Sequence, residues 1–556
     1  MRRSNKTIVL LVLTGLVCFL LGAFYQAQDQ NPITREMVAV TERMIGLNFT
    51  EAKRDSMLGD LKENLDNFEK IRAIALNNSV PPALLFNPIP AGKKFDPKRL
   101  PLVWSKPAKI TVPANLEQLA YASVSELAEL MRTRKITSTQ LTKMYLDRLK
   151  KYGSKLECVV TLTEELALKQ AQQADAEIAA GKYRGPLHGI PYGAKDLLAK
   201  KGYKTTWGSV PYKEQMLDAD ATVIQKLEAA GAVLVAKLTL GELAWGDVWF
   251  GGKTRNPWNL EQGSSGSSAG SASATAAGLV AFAIGTETWG SIVSPSTRCG
   301  VTGLRPTFGR VSRAGAMALS WSMDKIGPIC RTVEDCALVF NAIIGADGID
   351  QTIVDLPFNY AANVKLSSLR IGYYQSAFAK DTTFKIQNDA VLAKLRAAGA
   401  SLIPIELPDY PINDLSFILS AEAAAAFDEL TRSGKDDLLV RQIKNAWPNA
   451  FRAARFIPAV EYIQANRVRY LVIQAMEKLM STVDVYVTPS FGGSNLLLTN
   501  LTGHPCVVAP NGFDKKGNPI SITFVGRLYD EATTLAVAKV FQDVTGFHQK
   551  HPPLFP

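Results

Sequence analysis

Residues 260–278 read LEQGSSGSSAGSASATAAG and consist almost entirely of Ser, Gly and Ala. A stretch of this composition behaves as a flexible linker when loop-like or charged sequence flanks it. Here it runs directly into the apolar residues 279–285, LVAFAIG, and then into TETWGSIVSPSTRCG at 286–300. Small residues beside an apolar run are typical of backbones that turn sharply and approach closely inside a folded domain. We therefore expect this segment to lie within a core.

The surrounding chain alternates helical patterns with short apolar runs. A helical pattern at 221–231 precedes AVLVAKL at 232–238, and a second one at 386–399 precedes ASLIPI at 400–405. VDVYVTPS at 483–490 is a further apolar run. Strands that are apolar on both faces and alternate with helices predict an α/β fold, in which helices cover both faces of a central sheet.

Two capping boxes predict where helices begin in the first part of this domain. Ser123 is followed three residues later by Glu126, and Thr137 by Gln140. In each box the hydroxyl accepts from the backbone of the third helical residue, whose side chain returns the bond. We place the start of the main domain near residue 116 and its end near 550.

Composition excludes several classes of function. Lys and Arg exceed Asp and Glu by 62 − 51 = 11, but the basic residues are spread along the chain and no binding patch for nucleic acid is expected. The six cysteines form no CxxC pair and the four histidines show no HExxH spacing. We expect no metal and no cofactor.

The N-terminus predicts a membrane segment. Residues 7–25 carry no charge and follow Arg2, Arg3 and Lys6. The run is long enough to span a bilayer, and the basic residues ahead of it favour an N-in orientation. We expect residues 1–29 to be an uncleaved signal anchor or a cleaved signal peptide. The protein would then be anchored in the membrane with its catalytic domain outside the cytoplasm, or exported.

Residues 30–115 separate this segment from the main domain. Their first part is rich in charge with apolar residues at helical spacing, and NNSVPPALLFNPIPAG at 77–92 is rich in proline. The pattern predicts a helical hairpin followed by an extended strap.

One serine motif competes for the role of nucleophile. Residues 266–270, GSSAG, fit the G-x-S-x-G pattern with Ser268 at its centre and His504 or His548 as the base. A nucleophile elbow requires an apolar strand directly before the serine, and the residues that precede this one are NPWNLEQGSS. The context argues against the elbow.

The chain resembles the amidase signature family in three segments. They are GIPYGAKD at 189–196, SGSSAGSASA at 265–274 and GTETWGSIVSPSTRCGVTGLRPT at 285–307. The resemblance covers about residues 116–550, and it implies an amidase fold built on a mixed sheet. It also implies a hydrolase that acts on a small-molecule linear amide.

The resemblance implies a Ser-cisSer-Lys triad. The nucleophile is Ser291, the bridging serine is Ser267, and the base is Lys195. The family holds the bridging serine after a cis peptide bond, so the bond between Gly266 and Ser267 is expected to be cis. A lysine can act as a base only when it is neutral, which burial favours, and Lys195 stands among apolar and small residues.

The resemblance also implies an oxyanion hole made by the backbone of Thr288, Trp289 and Gly290. Donors fixed in this way each contribute roughly 10²–10³ in rate. Trp289 stands where the family has glycine, and we expect it to influence which substrate is accepted. With four other tryptophans between residues 245 and 321, it belongs either to an aromatic-lined pocket or to ordinary core packing.

Three functions remain open at this stage. The first is a stand-alone amidase that forms an acyl-enzyme on Ser291. The second is the A subunit of a tRNA-dependent amidotransferase, which carries the same motifs. The third is a catalytically silent amidase fold that serves as a binding protein, with Trp289 blocking the site.

Overall fold

The computed structural model describes residues 32–108 and 110–556. The chain divides into two compact units, the first ending at Asn77 and the second running from Asn78 to Pro556. The boundaries expected at residues 29 and 115 stay predictions.

The first unit contains two helices, α1 (Arg35–Met44) and α2 (Glu51–Arg72). Arg54 of α2 forms an ion pair with Glu42 of α1, with 2.5 Å between Nη2 and Oε1. Arg35 and Asp55 form a second pair, in which Nε and Oδ1 are 2.6 Å apart. Nη1 of Arg35 also lies 3.7 Å from Oε2 of Glu51, so that three ion pairs join the two helices in the described residues.

The second unit is built from helices and strands in alternation. Its helices are α3 (Val124–Arg132), α4 (Ser138–Leu156), α5 (Glu164–Ala179), α6 (Thr222–Ala229), α7 (Ala269–Ala276), α8 (Val293–Cys299), α9 (Val333–Ile343), α10 (Gln375–Lys380), α11 (Lys385–Ala397), α12 (Phe417–Ala426), α13 (Asp428–Arg432), α14 (Trp447–Ala454), α15 (Ala459–Met480), α16 (Asn495–Leu501) and α17 (Glu531–Thr545). Its strands are β1 (Val159–Leu162), β2 (Pro191–Lys195), β3 (Val233–Leu238), β4 (Val248–Trp249), β5 (Gly252–Lys253), β6 (Arg255–Asn256), β7 (Asn259–Gly263), β8 (Phe282–Glu287), β9 (Thr302–Arg305), β10 (Lys325–Cys330), β11 (Ile371–Tyr374), β12 (Leu402–Ile405), β13 (Val485–Pro489), β14 (Cys506–Phe513) and β15 (Pro519–Gly526).

Eleven of these strands form one mixed sheet in the order β1-β3-β2-β8-β10-β9-β14-β15-β13-β11-β12. The pairs β2–β3, β2–β8, β11–β12 and β11–β13 are parallel, and the other neighbours are antiparallel. The remaining strands form the two-stranded ribbons β4–β5 and β6–β7.

Helices cover both faces of this sheet, as the apolar runs predicted. Successive side chains of a strand point to opposite faces. Phe524 of β15 lies in the same buried cluster as Leu535 of α17, whereas the next residue, Val525, lies in a cluster with Val472 of α15. Burying both faces in this way requires strands without polar alternation.

Several elements confirm the sequence-based predictions. Both capping boxes are formed, with Ser123 at the start of α3 and Thr137 at the start of α4. The helical pattern at 221–231 and the apolar run after it are α6 and β3, and the later pair is α11 and β12. The run VDVYVTPS contains β13.

The predicted localisation is corrected. Within residues 32–108 and 110–556, none of the helices combines the length and the apolar character that crossing a membrane requires. The predicted anchor at residues 1–29 lies outside the described residues. The finding contradicts the prediction of a membrane-anchored or exported protein, and we withdraw it.

Candidate active site

The Ser/Gly/Ala segment runs from β7 through a turn at residues 264–268 into the buried helix α7. Ser264 and Ser268 are fully buried, and so is every residue of α7 except Ala276, which is 5% exposed. The peptide bond between Gly266 and Ser267 is cis, as the resemblance implied. A Cβ on Gly266 would lie 1.8 Å from the carbonyl oxygen of Gly246, so only glycine fits there. Close backbone approach explains the composition of the segment.

Lys195 ends β2 and reaches this turn. Its Nζ lies 2.8 Å from Oγ of Ser267, 3.2 Å from Oγ of Ser268 and 2.9 Å from Oγ1 of Thr286. The side chain is fully buried, and burial lowers the pKa of Lys195 to about 7, although the negative charges of Asp324 and Glu287 act in the opposite direction. The amine therefore has hydroxyl groups and no carboxylate as hydrogen-bond partners.

Ser291 lies in the loop that joins β8 to α8. Its carbonyl oxygen accepts a hydrogen bond from the backbone N–H of Ser268 at 3.1 Å, which fixes the loop against the buried turn. Gly290, just before it, has a φ of +86°, in the left-handed region that favours glycine. Trp289 does not have a positive φ, so its side chain is accommodated without strain.

Glu287 fixes the other end of this loop. Its Oε2 accepts the backbone N–H groups of Ile292 and Val293 at 2.8 and 2.9 Å, and its Oε1 accepts from Arg305 and Asn500, both at 2.9 Å. Burial alone would raise the pKa of Glu287, but the Arg305 charge and these donors hold it at about 2. The carboxylate thus stays ionised under the first turn of α8 and does not reach the cavity.

Asp324 holds the loop from the opposite side. Its Oδ1 accepts from the Thr288 hydroxyl at 2.5 Å, and its Oδ2 accepts the N–H groups of Leu319 and Ser320. Burial raises the pKa of Asp324, while these hydrogen bonds oppose the rise. Asp324 and Glu287 therefore restrain the loop of residues 288–291 at both ends.

A cavity of about 390 Å³ opens in front of Ser291. Gly266 and Thr288 also line it, next to the side chains of Trp245, Trp289 and Trp447. Ser291 is 8% exposed, whereas Lys195 is fully buried behind it. A substrate in the cavity could thus reach the serine and not the lysine.

Sequence reasoning missed several of these residues. Thr286 contacts the amine of Lys195, and Asp324 contacts Thr288. The motif MDKIGPICRT at 323–332 signals Asp324, and only the pairing of β10 with β8 gives it a role. Trp447 carries no local signal, because helix α14 brings it to the cavity from a distant part of the chain.

Among the described residues, neither histidine considered as the base of the competing serine motif hydrogen-bonds to Ser268, whose Oγ lies 3.2 Å from Nζ of Lys195. Ser268 Oγ donates to the carbonyl of Thr286 and accepts its N–H, at 3.0 and 3.1 Å. His504 is fully buried beside Thr502, with 2.8 Å between Nδ1 and Oγ1, and burial lowers its pKa to about 3. The backbone of Thr286 thus holds the Ser268 hydroxyl at the start of α7.

The tryptophans divide between the two roles considered from the sequence. Trp245 and Trp289 line the cavity at Ser291. Trp249 and Trp258 pack against Phe250 and Phe513. Trp321 lines a neighbouring cavity of about 470 Å³.

The fold and the site together define an α/β enzyme in which a buried lysine lies behind a serine loop. Comparison with known proteins gives the same class. The amidase family model matches residues 140–496. The A subunit of the glutamyl-tRNA(Gln) amidotransferase of Carboxydothermus hydrogenoformans is 34% identical over 488 residues, covering 79% of this chain and 100% of that protein. The chain belongs to the amidase signature family.

Solved structures show the same fold. The native peptide amidase from Stenotrophomonas maltophilia superimposes with a TM-score of 0.71 at 29% identity, over 79% of this chain and 99% of that one. An amidase family protein from Bacillus anthracis gives a TM-score of 0.70 at 27% identity, over 79% and 93% of the two chains.

Proposed function

We propose that this protein is a serine hydrolase that cleaves a linear carboxylic amide through an acyl-enzyme on Ser291, with Ser267 and Lys195 completing the triad. The contact between Nζ of Lys195 and Oγ of Ser267, at 2.8 Å inside a fully buried pocket, carries the proposal. A serine hydroxyl is a weak nucleophile until a base accepts its proton. A lysine whose pKa is lowered to about 7 is neutral in part at neutral pH and can be that base.

The reaction proceeds by two acyl transfers. Oγ of Ser291 attacks the amide carbonyl carbon as its proton passes to Ser267, whose own proton passes to Nζ of Lys195. The same relay returns a proton to the departing nitrogen when the carbon–nitrogen bond breaks, releasing ammonia or an amine. Water then attacks the ester on Ser291, and its proton enters the relay, so that the carboxylic acid leaves and the serine is restored.

The loop formed by Thr288, Trp289 and Gly290 supplies the oxyanion hole in this proposal. Within the described part of the chain, the N–H groups of Trp289, Gly290 and Ser291 form no hydrogen bond. The N–H groups of Ile292 and Val293, by contrast, are already bonded to Glu287. Donors held in place without an internal acceptor are available for the negative oxygen of the tetrahedral intermediate.

The proposal is tested by Ser291→Ala with Ser294→Ala as the matched control. Ser294 is the second residue of α8, three positions after Ser291, and takes no part in the proposed relay. We expect Ser291→Ala to lose amide hydrolysis and labelling by a fluorophosphonate, which phosphonylates an activated serine with loss of fluoride. Ser294→Ala should retain both. Labelling of the Ser291→Ala protein, or no labelling of the unmodified one, would overturn the mechanism; the second result would favour the catalytically silent amidase fold.

A second candidate function is that of one component of an amidotransferase. The observation that favours it is the 34% identity to the A subunit of glutamyl-tRNA(Gln) amidotransferase along the whole of that protein. Hydrolysis of simple amides by the purified chain alone would favour the stand-alone enzyme. Purification in a stable complex with tRNA or further protein chains, and hydrolysis only in that complex, would favour the amidotransferase.

A further inference from the structure

Among the described residues, no charged side chain lines the cavity at Ser291. Its walls are the indole rings of Trp245, Trp289 and Trp447, together with Leu319 and Leu419. The other lining residues are small or carry hydroxyl groups. A charged group that entered would lose its hydration without gaining an ion pair, which is strongly unfavourable.

The charged side chains among the described residues that line the neighbouring cavity of about 470 Å³ are already engaged in hydrogen bonds or an ion pair. It shares Thr288 and Leu319 with the first cavity. Its charged lining residues already have partners. Arg313 pairs with Asp350 at 2.9 Å, Asp324 accepts from Thr288 and two N–H groups, and Lys325 donates to the carbonyl of Met323.

Trp447 is the most firmly held of the three cavity tryptophans. Its Nε1 donates to the carbonyl of Leu243 at 2.9 Å. Its ring packs edge-on against Trp245, with centroids 4.6 Å apart, and stacks on Phe451 with centroids 4.9 Å apart. It is 8% exposed, against 42% for Trp289. A fixed aromatic wall gives a bound group a defined shape to fit, whereas the more exposed Trp289 has room to adapt.

We infer that the substrate is an electrically neutral amide whose aromatic or other apolar acyl group packs against Trp447, and that Trp447 contributes to specificity. This inference rests on the proposed amide hydrolysis at Ser291. Packing an aryl group against a fixed indole removes apolar surface from water on both sides and allows edge-to-face or offset contact between the rings. An anionic or zwitterionic amide would meet no charged side chain among the described residues that line the cavity, because the guanidinium of Arg441, 5.9 Å from the ring centroid of Trp245, is not part of the lining.

The test uses the full chain and three amides that differ in the group on the acyl side. They are 3-phenylpropanamide, which is neutral and aromatic, succinamate, which is anionic, and propanamide, which is small. We expect kcat/KM for 3-phenylpropanamide to exceed that for succinamate at least about 100-fold. Glutamine, a zwitterionic amide, should be turned over as poorly as succinamate.

Trp447→Ala should lower kcat/KM for 3-phenylpropanamide about tenfold or more while leaving propanamide within about twofold. Trp258→Ala is the matched control, because Trp258 also donates its Nε1 to a backbone carbonyl, that of Cys299 at 2.8 Å, and lies outside this cavity. It should leave the ratio of the two amides unchanged. Should Trp447→Ala fail to fold, Trp447→Phe should change the same ratio in the same direction, by about threefold.

The outcomes separate this inference from the function on which it rests. If Ser291 is labelled by a fluorophosphonate but succinamate or glutamine is the better substrate, the inference is overturned and the amidase function stands. If Trp447→Ala lowers kcat/KM equally for all amides, Trp447 is structural and its specificity role is overturned. If Ser291 is not labelled and no amide is hydrolysed, both fail together.

Discussion

The inner and outer sides of the candidate site are built in opposite ways. On the inner side, Lys195 and Ser267 are buried. The amine of Lys195 hydrogen-bonds to the hydroxyl groups of Ser267, Ser268 and Thr286. On the outer side, Trp289 is 42% exposed and lines an uncharged, aromatic cavity. Burial changes the protonation of a lysine, whereas exposure leaves a large ring free to meet different ligands. The inner side should therefore decide whether an amide is cleaved, and the outer side which amide.

The largest effect is expected from Lys195→Met. Methionine keeps most of the volume and the burial of the side chain and removes the only base of the proposed relay. We expect kcat/KM to fall by at least about 10⁴, equal to roughly 5.5 kcal/mol of transition-state stabilisation. The free energy of unfolding should change by no more than about 1–2 kcal/mol, since the hydroxyl groups left behind can rotate to other partners. Steady-state kinetics and urea unfolding measure the two quantities.

The matched control is Lys237→Met on the neighbouring strand. Lys237 is equally buried, but its Nζ lies 2.7 Å from Oδ1 of the fully buried Asp196, the residue that follows Lys195. Removing this amine leaves a buried carboxylate without its cation and should cost about 3–5 kcal/mol of stability. Its folded fraction should keep kcat/KM within about tenfold. If Lys237→Met were as stable as the unmodified protein, or if Lys195→Met were active, the contrast between a stabilising Lys237 and a catalytic Lys195 would be wrong.

The second prediction concerns the bridging hydroxyl. Ser267→Ala should lower kcat about 10²–10³-fold, because the proton of Ser291 would lose its path to Lys195. Ser271→Ala is the control from the same segment: its buried hydroxyl donates to the carbonyl of Ile284 at 3.0 Å and does not contact Lys195. That variant should lose about 1 kcal/mol of stability and little activity. Equal activity of the two variants would remove Ser267 from the relay.

The third prediction is the pH dependence of kcat/KM. The base must be neutral, and the pKa of Lys195 is about 7, so protonation at lower pH removes it. The rate should therefore approach a tenfold fall per pH unit below this value, or about 50-fold between pH 7, where about half of the lysine is neutral, and pH 5. A profile that stays flat from pH 5 to pH 9 in the unmodified protein would exclude Lys195 as the base.

Asp324→Asn sharpens the pH test. The negative charge of Asp324 raises the pKa of Lys195, so its removal should move the acid limb to lower pH, by up to about one unit. The amide can still hydrogen-bond to Thr288 and to the two N–H groups. Asp335→Asn removes another buried carboxylate whose charge does not act on Lys195, and it should leave the limb in place. A shift to higher pH in Asp324→Asn would contradict the assignment.

Local sequence predicted the elements that depend on local physics. Helices begin at Ser123 and Thr137, as predicted from a hydroxyl residue followed three positions later by Glu or Gln. The continuous apolar run of β3 is buried along its whole length, because a helix-covered parallel region leaves no polar face. The motifs of the family resemblance identified Lys195 and Ser267 as site residues. In the structure, Nζ of Lys195 lies 2.8 Å from Oγ of Ser267.

Features that depend on contacts between distant parts of the chain could not be predicted from local sequence. The role of Glu287 is one such feature, because the structure buries its carboxylate against Arg305 and Asn500. Trp447 reaches the cavity only because α14 packs against α12, a contact that no local period encodes. The membrane localisation was predicted from an apolar run and the basic residues before it, and it is the prediction that the described residues contradict.

The smallest effect is expected on the outer side, from Trp289→Gly. The left-handed backbone of the loop lies at Gly290, where φ is +86°, so glycine at 289 need not alter the oxyanion donors. An indole can bury roughly 150–250 Å², and without it a bulky acyl group loses contact that a small group never made. We expect the ratio of kcat/KM for 3-phenylpropanamide to that for propanamide to fall at least about tenfold, equal to roughly 1.4 kcal/mol.

The rate of fluorophosphonate labelling distinguishes the two possible roles of Trp289, because labelling needs the activated serine and the oxyanion loop but no large acyl pocket. If labelling by a small fluorophosphonate is unchanged in Trp289→Gly while the ratio falls, the indole acts on selectivity and the inner side is intact. If labelling slows and kcat/KM falls equally for every amide, the indole supports the oxyanion loop. The assignment of cleavage to the inner side and of substrate choice to the outer side would then be wrong for Trp289, because its exposed ring would control the chemical step.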